Sequence, residues 1–308
     1  MYISNCVWNF VPPGNSEMTY NKKTLKNVVD GLKEIGDGYK ILGDKWRAKT
    51  YSNASKIIKN GGSADEYGIG ESVRMDISML EYGKVPKRLE ELRQQVKIIM
   101  NLEKVMGIGP TAAKRFVKMG AKNIMDLKEP RFAKLLTNMQ KLGLEHLDDL
   151  ARRIPRETVR KIANTIMKNS GIVTWNLVGS WRRGNAYSSD VDILISGKVF
   201  PSIQKKAAFV SYIVNGTKRK SFLWRDSNQI VRQVDMRLVS PQAYPAALLY
   251  FTGSREFNIT IRSQAKKSGY KLNEYGLFTD KNEQVPIQSE EDIFKKLGLR
   301  YIEPKLRD

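Results

Sequence analysis

GSWRRGNAYSSDVDILI, residues 179 to 195, opens on a Gly-Ser turn, carries two arginines and closes on a short apolar strand bearing Asp190 and Asp192. Side chains two apart on a strand share a face, so the two acids point one way while Val191, Ile193 and Ile195 enter a core. Two carboxylates on one face repel each other unless a cation sits between them. A divalent metal with oxygen ligands, Mg²⁺ above all, meets that need. A third carboxylate is then expected. The run IVRQVDMRLV, residues 230 to 239, supplies Asp235, with Ile230, Val234, Met236 and Leu238 alternating against Val231, Gln233, Asp235 and Arg237. An Asp-x-Asp pair on a strand is often only a solvated edge, and the weight here comes from its neighbours. Gly179 lets backbone N–H groups approach an anion, Ser180 adds a hydroxyl and Arg183 a forked cation, which together make a triphosphate cradle beside a metal pair. Such a site serves phosphoryl or nucleotidyl transfer.

The composition agrees with that chemistry. At 308 residues and 41% hydrophobic, the chain is long enough for two or more domains with cores of their own. Its 53 Lys and Arg against 32 Asp and Glu leave a net charge of +21, which calls for a polyanionic partner, nucleic acid in preference to a membrane surface. No run approaches the roughly 18 apolar residues of a spanning helix, and the N-terminus lacks the apolar core of a signal peptide. The single cysteine, Cys6, allows neither an intrachain disulfide nor a thiolate metal cluster. The single histidine, His146, is read as a surface residue. The reduced thiol and the basicity fit the nucleus or, for a virus, the host-cell cytoplasm or virion.

Along the chain, residues 1–20, with Trp8, Phe10, Pro12 and Pro13, read as an irregular leader. Leu25, Val28, Val29, Leu32 and Ile35 then recur at helical spacing, with Gly36 as a stop, and a second helix is expected over 44–58. A third follows Gly68, Ile69 and Gly70. The Gly-x-Gly pattern returns at Gly107 and Gly109, with Pro110 opening a helix that carries Lys114 and Arg115. A Gly-x-Gly between helices exposes backbone N–H groups at a helix N-terminus, where a DNA phosphate binds without any base being read. A further helix starts at Pro155 and ends by Gly171. Strands are expected at 172–178, 190–195 and 230–239. Between the last two, Lys205, Lys206, Lys218, Arg219 and Lys220 read as a solvated basic connection. Tyr250 and Phe251 are by default core packing.

In this order, GS(W)RRG, DVD, VDMRLV, YFTGSREFN and NEYGLF resemble the motifs of the family X DNA polymerases of the polymerase β type, over nearly the whole chain after about Lys22. The resemblance implies an α+β multidomain chain. All-α lyase-like (21–92) and helix-hairpin-helix (93–154) domains would precede a nucleotidyltransferase palm with a mixed sheet (155–240) and a small α/β C-terminal domain (241–308). It implies template-directed filling of short DNA gaps by two-metal nucleotidyl transfer from a dNTP, with two Mg²⁺ (Mn²⁺ as the alternative) on Asp190, Asp192 and Asp235. Arg153, Gly179, Ser180, Arg183 and Ser189 would hold the triphosphate. Tyr250, Phe251 and Gly253 would lie under the sugar, Asn258 at the minor-groove edge of the base, and Arg262 and Arg237 toward DNA. Arg47, Gly68, Gly70, Gly107, Gly109 and Lys114 would grip DNA phosphates, and carbonyls of Val105 and Ile108 a monovalent cation, Na⁺ or K⁺. The implied partners are gapped or nicked DNA and a ligase, the implied state a monomer.

Four positions depart from the family pattern. Asp76 stands where the family's lyase lysine would form a Schiff base, and Ser72 where a neighbouring lysine would fall. A carboxylate forms no imine, so lyase activity is expected to be weak or absent. Gln233 stands where an arginine commonly flanks the third aspartate and offers only a neutral hydrogen bond, from which a slower chemical step or a higher pH optimum is expected. Arg255 replaces an acid near the incoming base.

Overall fold

A computed structural model describes residues 20–66, 68–204 and 206–307; the expected leader apart from Tyr20, Cys6 within it, and Lys205 lie outside the described residues. The chain divides into two units, one of residues 1–104 and 108–134, the other of 105–107 and 135–308.

The first unit is helical: α1 (Lys22–Leu42), α2 (Lys45–Lys59), α3 (Glu71–Glu81), α4 (Lys87–Leu102), α5 (Pro110–Lys118) and α6 (Pro130–Ala133). Asn21 caps α1 by accepting from the Thr24 N–H, and Asp44 caps α2 by accepting from Arg47. The stop expected at Gly36 does not occur; α1 runs on to Gly43, whose φ of +88° ends it. Gly36 and Gly38 serve helix packing. A Cβ on Gly36 would stand 3.3 Å from the Ala48 carbonyl oxygen, and one on Gly38 3.3 Å from Leu92 Cβ. Val28, Leu32, Ile35, Ile58 and Ile77 fill the core between these helices.

The second unit begins with α7 (Asn138–Glu145), closed by a Thr137–Gln140 capping box, and α8 (Leu147–Ala151). His146, at their junction, corrects the surface reading: its side chain is only 11% exposed, because the two helices turn on it. Then follow β1 (Ile154–Pro155), α9 (Arg156–Met167), β2 (Trp175–Leu177), α10 (Gly179–Arg182), β3 (Tyr187–Ser188), β4 (Val191–Ser196), β5 (Phe209–Asn215), β6 (Arg219–Arg225) and β7 (Val231–Val239). The last part comprises α11 (Tyr244–Thr252), α12 (Arg255–Lys267), β8 (Tyr270–Asn273), β9 (Gly276–Thr279), β10 (Gln284–Val285) and α13 (Glu290–Lys296).

Five strands form one mixed sheet in the order β2-β4-β7-β6-β5. Its face of Val191, Ile193, Phe222, Trp224, Val234 and Met236 packs with Val159, Ile162 and Ile166 of α9 into the main core. The opposite face carries the acids and, beside them, Leu194, which packs with Val178 and Ala247 of α11. β4 and β7 run parallel with Asp192 beside Asp235, while β6 lies antiparallel on the far side of β7. The β5–β6 hairpin was not expected: the stretch read as a basic connection is two seven-residue strands around Asn215 and Gly216.

Candidate active site

The site grows out of the register of two strands. Asp192 and Asp235 are paired residues on the parallel strands β4 and β7, and Asp190 precedes Asp192 by two on the same side. Each of the three offers a carboxylate oxygen within 4.8 Å of the others; Asp235 is buried and the other two half-buried. Burial and then the neighbouring Asp235 raise the Asp190 carboxyl above its ordinary range. Burial, then Asp190 and Asp235, push Asp192 up to about 8. The donor set is all carboxylate oxygen, with no sulfur or imidazole, which suits a hard divalent cation of the Mg²⁺ or Mn²⁺ kind.

That cluster makes the second unit's stability depend on pH. Asp192 binds its proton more tightly folded than unfolded, so its contribution is full below the unfolded carboxylate range and is lost as pH rises through about 8. Calorimetry in EDTA is expected to show the melting temperature of this unit falling from roughly pH 5 to pH 8 and recovering at pH 8 on addition of Mg²⁺. Asp192→Asn flattens the slope; a slope unchanged in that variant would contradict the assignment.

The cradle packs directly against the acids. Gly179 sits at φ +59°, and a Cβ there would come within 2.3 Å of Asp192 Oδ2, so no other residue fits. Ser180 Oγ donates to Ser188 Oγ at 2.9 Å, and Arg153 Nη1 donates to Ser189 Oγ at 2.7 Å, so the residues expected to hold a triphosphate meet from both segments. Arg183 Nη1 donates to the Thr252 carbonyl at 2.8 Å, tying the cradle to the end of α11. Arg183, Tyr250, Gly253, Arg255, Asn258 and Arg262 line a cleft of about 740 Å³. Asn258 Nδ2 donates to the Tyr250 carbonyl at 2.8 Å, and Arg237 stacks over Phe251, 5.3 Å from its ring centre.

Asp235 shows a group the sequence reading did not find. Gln233 Nε2 donates to its Oδ2 at 2.6 Å, as the neutral bond expected from glutamine. Arg219 of β6, read as part of a solvated basic run, pairs with its Oδ1 at 3.2 Å. The signal was present: Asn-Gly at 215–216 between two alternating runs marks a hairpin, which places Arg219 on a strand beside β7.

The remaining expected residues lie apart from the acids. Arg47, Gly68 and Gly70 line a cavity of about 930 Å³ in the first unit, and Lys114 lies on α5. Gly70 and Gly109 precede α3 and α5 with extended backbone and with nothing within 4 Å of a Cβ, so neither conformation nor internal packing requires glycine. The φ of +83° at Gly107 does require it, and its carbonyl accepts from Gln140 Nε2 at 2.9 Å. Val105 and Ile108 each have a buried side chain. Asp76, at the family's lyase position, is buried, accepts from Tyr51 Oη and pairs with Arg88 at 2.6 Å. Among the described residues lining that cavity there is no lysine.

Three family models match the sequence: the fingers domain of DNA polymerase lambda over residues 100–151, the DNA polymerase beta palm over 153–240 and the DNA polymerase beta thumb over 247–308. DNA polymerase lambda of Rattus norvegicus is 28% identical over 86% of this chain and 53% of that protein. DNA polymerase lambda of Arabidopsis thaliana is 27% identical over 78% of this chain and 52% of that protein. A DNA nucleotidylexotransferase of Xenopus laevis is 28% identical over 73% and 55%. The chain spans about half the length of these relatives.

Proposed function

We propose that this chain, which belongs to the family X DNA polymerases, is a template-directed DNA polymerase that fills short gaps by transferring a nucleotide from a dNTP to a primer 3′-hydroxyl, releasing pyrophosphate. The observation that carries the reading is the convergence of Asp190, Asp192 and Asp235 beside the Gly179–Arg183 cradle. Asp190 and Asp192 would hold two Mg²⁺ ions and Asp235 one of them, Mn²⁺ serving as the alternative. Bound there, such ions lower the pKa of the 3′-hydroxyl and offset charge on the β and γ phosphates.

The chain's own groups do the rest. An Asp235 oxygen accepts the hydroxyl proton. Arg153, Ser180, Arg183 and the backbone near Ser189 bind the triphosphate through charge-assisted hydrogen bonds. The backbone at Tyr250, with Phe251 and Gly253, crowds a ribose 2′-hydroxyl. Asn258 offers its amide to the minor-groove edge of the incoming base once released from the Tyr250 carbonyl, and Arg262 and Arg237 face DNA. Minor-groove acceptors are nearly the same in every pair, so these contacts test pair shape and name no base. In the first unit, the glycines at 70 and 109 suit close approach of a DNA phosphate to the N–H groups of α3 and α5. Gly68, Gly107, Arg47 and Lys114 would share that grip, with a Na⁺ or K⁺ at the carbonyls near Val105 and Ile108. Lyase activity is weak or absent, because the Asp76 carboxylate, held by Tyr51 and Arg88, forms no imine. A monomer that leaves a nick for a ligase completes the reading.

The similarity to a nucleotidylexotransferase favours one alternative, untemplated addition. A single experiment separates them: insertion of each dNTP opposite each template base, on a one-nucleotide gap whose 5′ side bears either phosphate or deoxyribose phosphate. Insertion that follows the template, with no adduct trapped by borohydride, is the expected result. Insertion indifferent to the template would select the alternative, and binding without insertion a DNA-holding scaffold.

A further inference from the structure

We propose that Arg219, presented by β6, is a positioning residue that fixes the orientation of the Asp235 carboxylate, an inference that rests on the polymerase reading above. Asp235 is held at both oxygens by donors from two different strands: Gln233 of its own strand at Oδ2, 2.6 Å, and Arg219 at Oδ1, 3.2 Å. A carboxylate held at one oxygen can still swing about its Cβ–Cγ bond. Donors on both oxygens, anchored in separate backbones, fix its plane. An ionised carboxylate has about four acceptor directions, so two donors still leave room for a further ligand.

The strand register explains how Arg219 reaches. β6 and β7 pair with Arg219 opposite Arg237 and Ser221 opposite Asp235. Arg219 is thus the diagonal neighbour of Asp235, at a separation that a long side chain spans. Ser221, directly opposite, does not hold the carboxylate; its buried hydroxyl has no partner among the described residues. Arg219 also faces a like charge, an arrangement that costs stability in an antiparallel pair. The hairpin gains nothing from that opposition, whereas Asp235 gains a charge-assisted bond. The cation that Gln233 does not provide therefore comes from the neighbouring strand.

With its side chain 44% exposed, Arg219 could instead touch the DNA backbone, and the test separates the two. The full chain is compared with Arg219→Ala, Arg219→Lys and the double variant Arg219→Ala/Gln233→Arg. Readouts are single-turnover insertion on gapped DNA, DNA affinity, melting temperature, and Mn²⁺ affinity by electron paramagnetic resonance without DNA. Arg219→Ala is expected to lower the maximal insertion rate and the Mn²⁺ affinity, each by roughly 10- to 100-fold, as loss of a group supporting a metal ligand does. DNA affinity, dNTP affinity and melting temperature stay as they were. Arg219→Lys retains part of the rate, and the double variant recovers it, since an arginine at 233 reaches the same carboxylate. A rescue of that kind is not open to a residue that merely stabilises the hairpin. An unchanged rate and Mn²⁺ affinity in Arg219→Ala would overturn the proposal, as would a loss confined to DNA affinity or one that Gln233→Arg fails to restore. Activity retained in Asp235→Ala would instead overturn the polymerase mechanism itself.

Discussion

Asp235→Ala is expected to lower single-turnover insertion by roughly 10³- to 10⁵-fold, the scale of removing a residue at the reacting atoms, while gapped DNA binds as before. The size of the effect follows from how few acids are available. Among the described residues, Asp190, Asp192 and Asp235 make the one group of three that could hold a metal, and Asp235 alone comes from β7. Nothing on β6 replaces it, for Ser221 and Arg219 are its neighbours there. Asp235→Asn keeps the volume and the Gln233 contact but loses the charge, and it should be nearly as inactive. Both variants should melt at a higher temperature than the parent, because the Asp235 charge disfavours ionisation of Asp190 and Asp192. Inactivity together with gained stability is the pattern of a strained functional cluster. A variant that kept its rate would show that Asp235 neither binds metal nor takes the proton.

Glu290→Ala should produce the largest loss of stability. Its buried carboxylate accepts from Arg182 at 3.0 and 2.6 Å and from Arg307 at 2.7 Å. Arg307 is 1% exposed and lies against Phe257, Phe294 and Tyr301, with ring centres 5.2 to 5.8 Å away. Burial alone would raise the Glu290 carboxyl; the hydrogen bonds of the two arginines outweigh it and hold the group below its ordinary range. Its contribution is therefore full at neutral pH and lost only as pH falls through that depressed value. Alanine leaves two cations without their counter-charge, at a cost of about 3–5 kcal/mol. For a unit of this size, that lowers the melting temperature by on the order of ten degrees. Glu290→Gln should lose less than alanine, because it keeps an acceptor for one guanidinium. A melting temperature within a degree or so of the parent in Glu290→Ala would show that the network contributes little.

The acids were legible because a strand's period of two declares which residues share a face, even though Leu194 and Arg232 break the alternation of the two runs. Their convergence was expected from the charge balance, but not the means of it, since the parallel pairing of Asp192 with Asp235 joins residues more than forty apart. Arg219 was hidden for a different reason: Lys218, Arg219 and Lys220 look like a solvated charge run until the hairpin places alternate members on opposite faces. Gly36 failed as a stop signal because its missing side chain serves contact with α2, a demand that no local pattern carries. His146 was read from its polar surroundings in sequence, while its burial is decided by the turn between two short helices.

Gly179 constrains what this chain can become. Where its Cβ would stand, an Asp192 oxygen lies 2.3 Å away, so the turn bearing Ser180 and Arg183 moves as one piece with the strand bearing the acid. A side chain at 179 would therefore displace the acid. On the rim from Tyr250 to Arg262 no such clash ties a side chain to the acids, and exposed Arg255 can change without moving them.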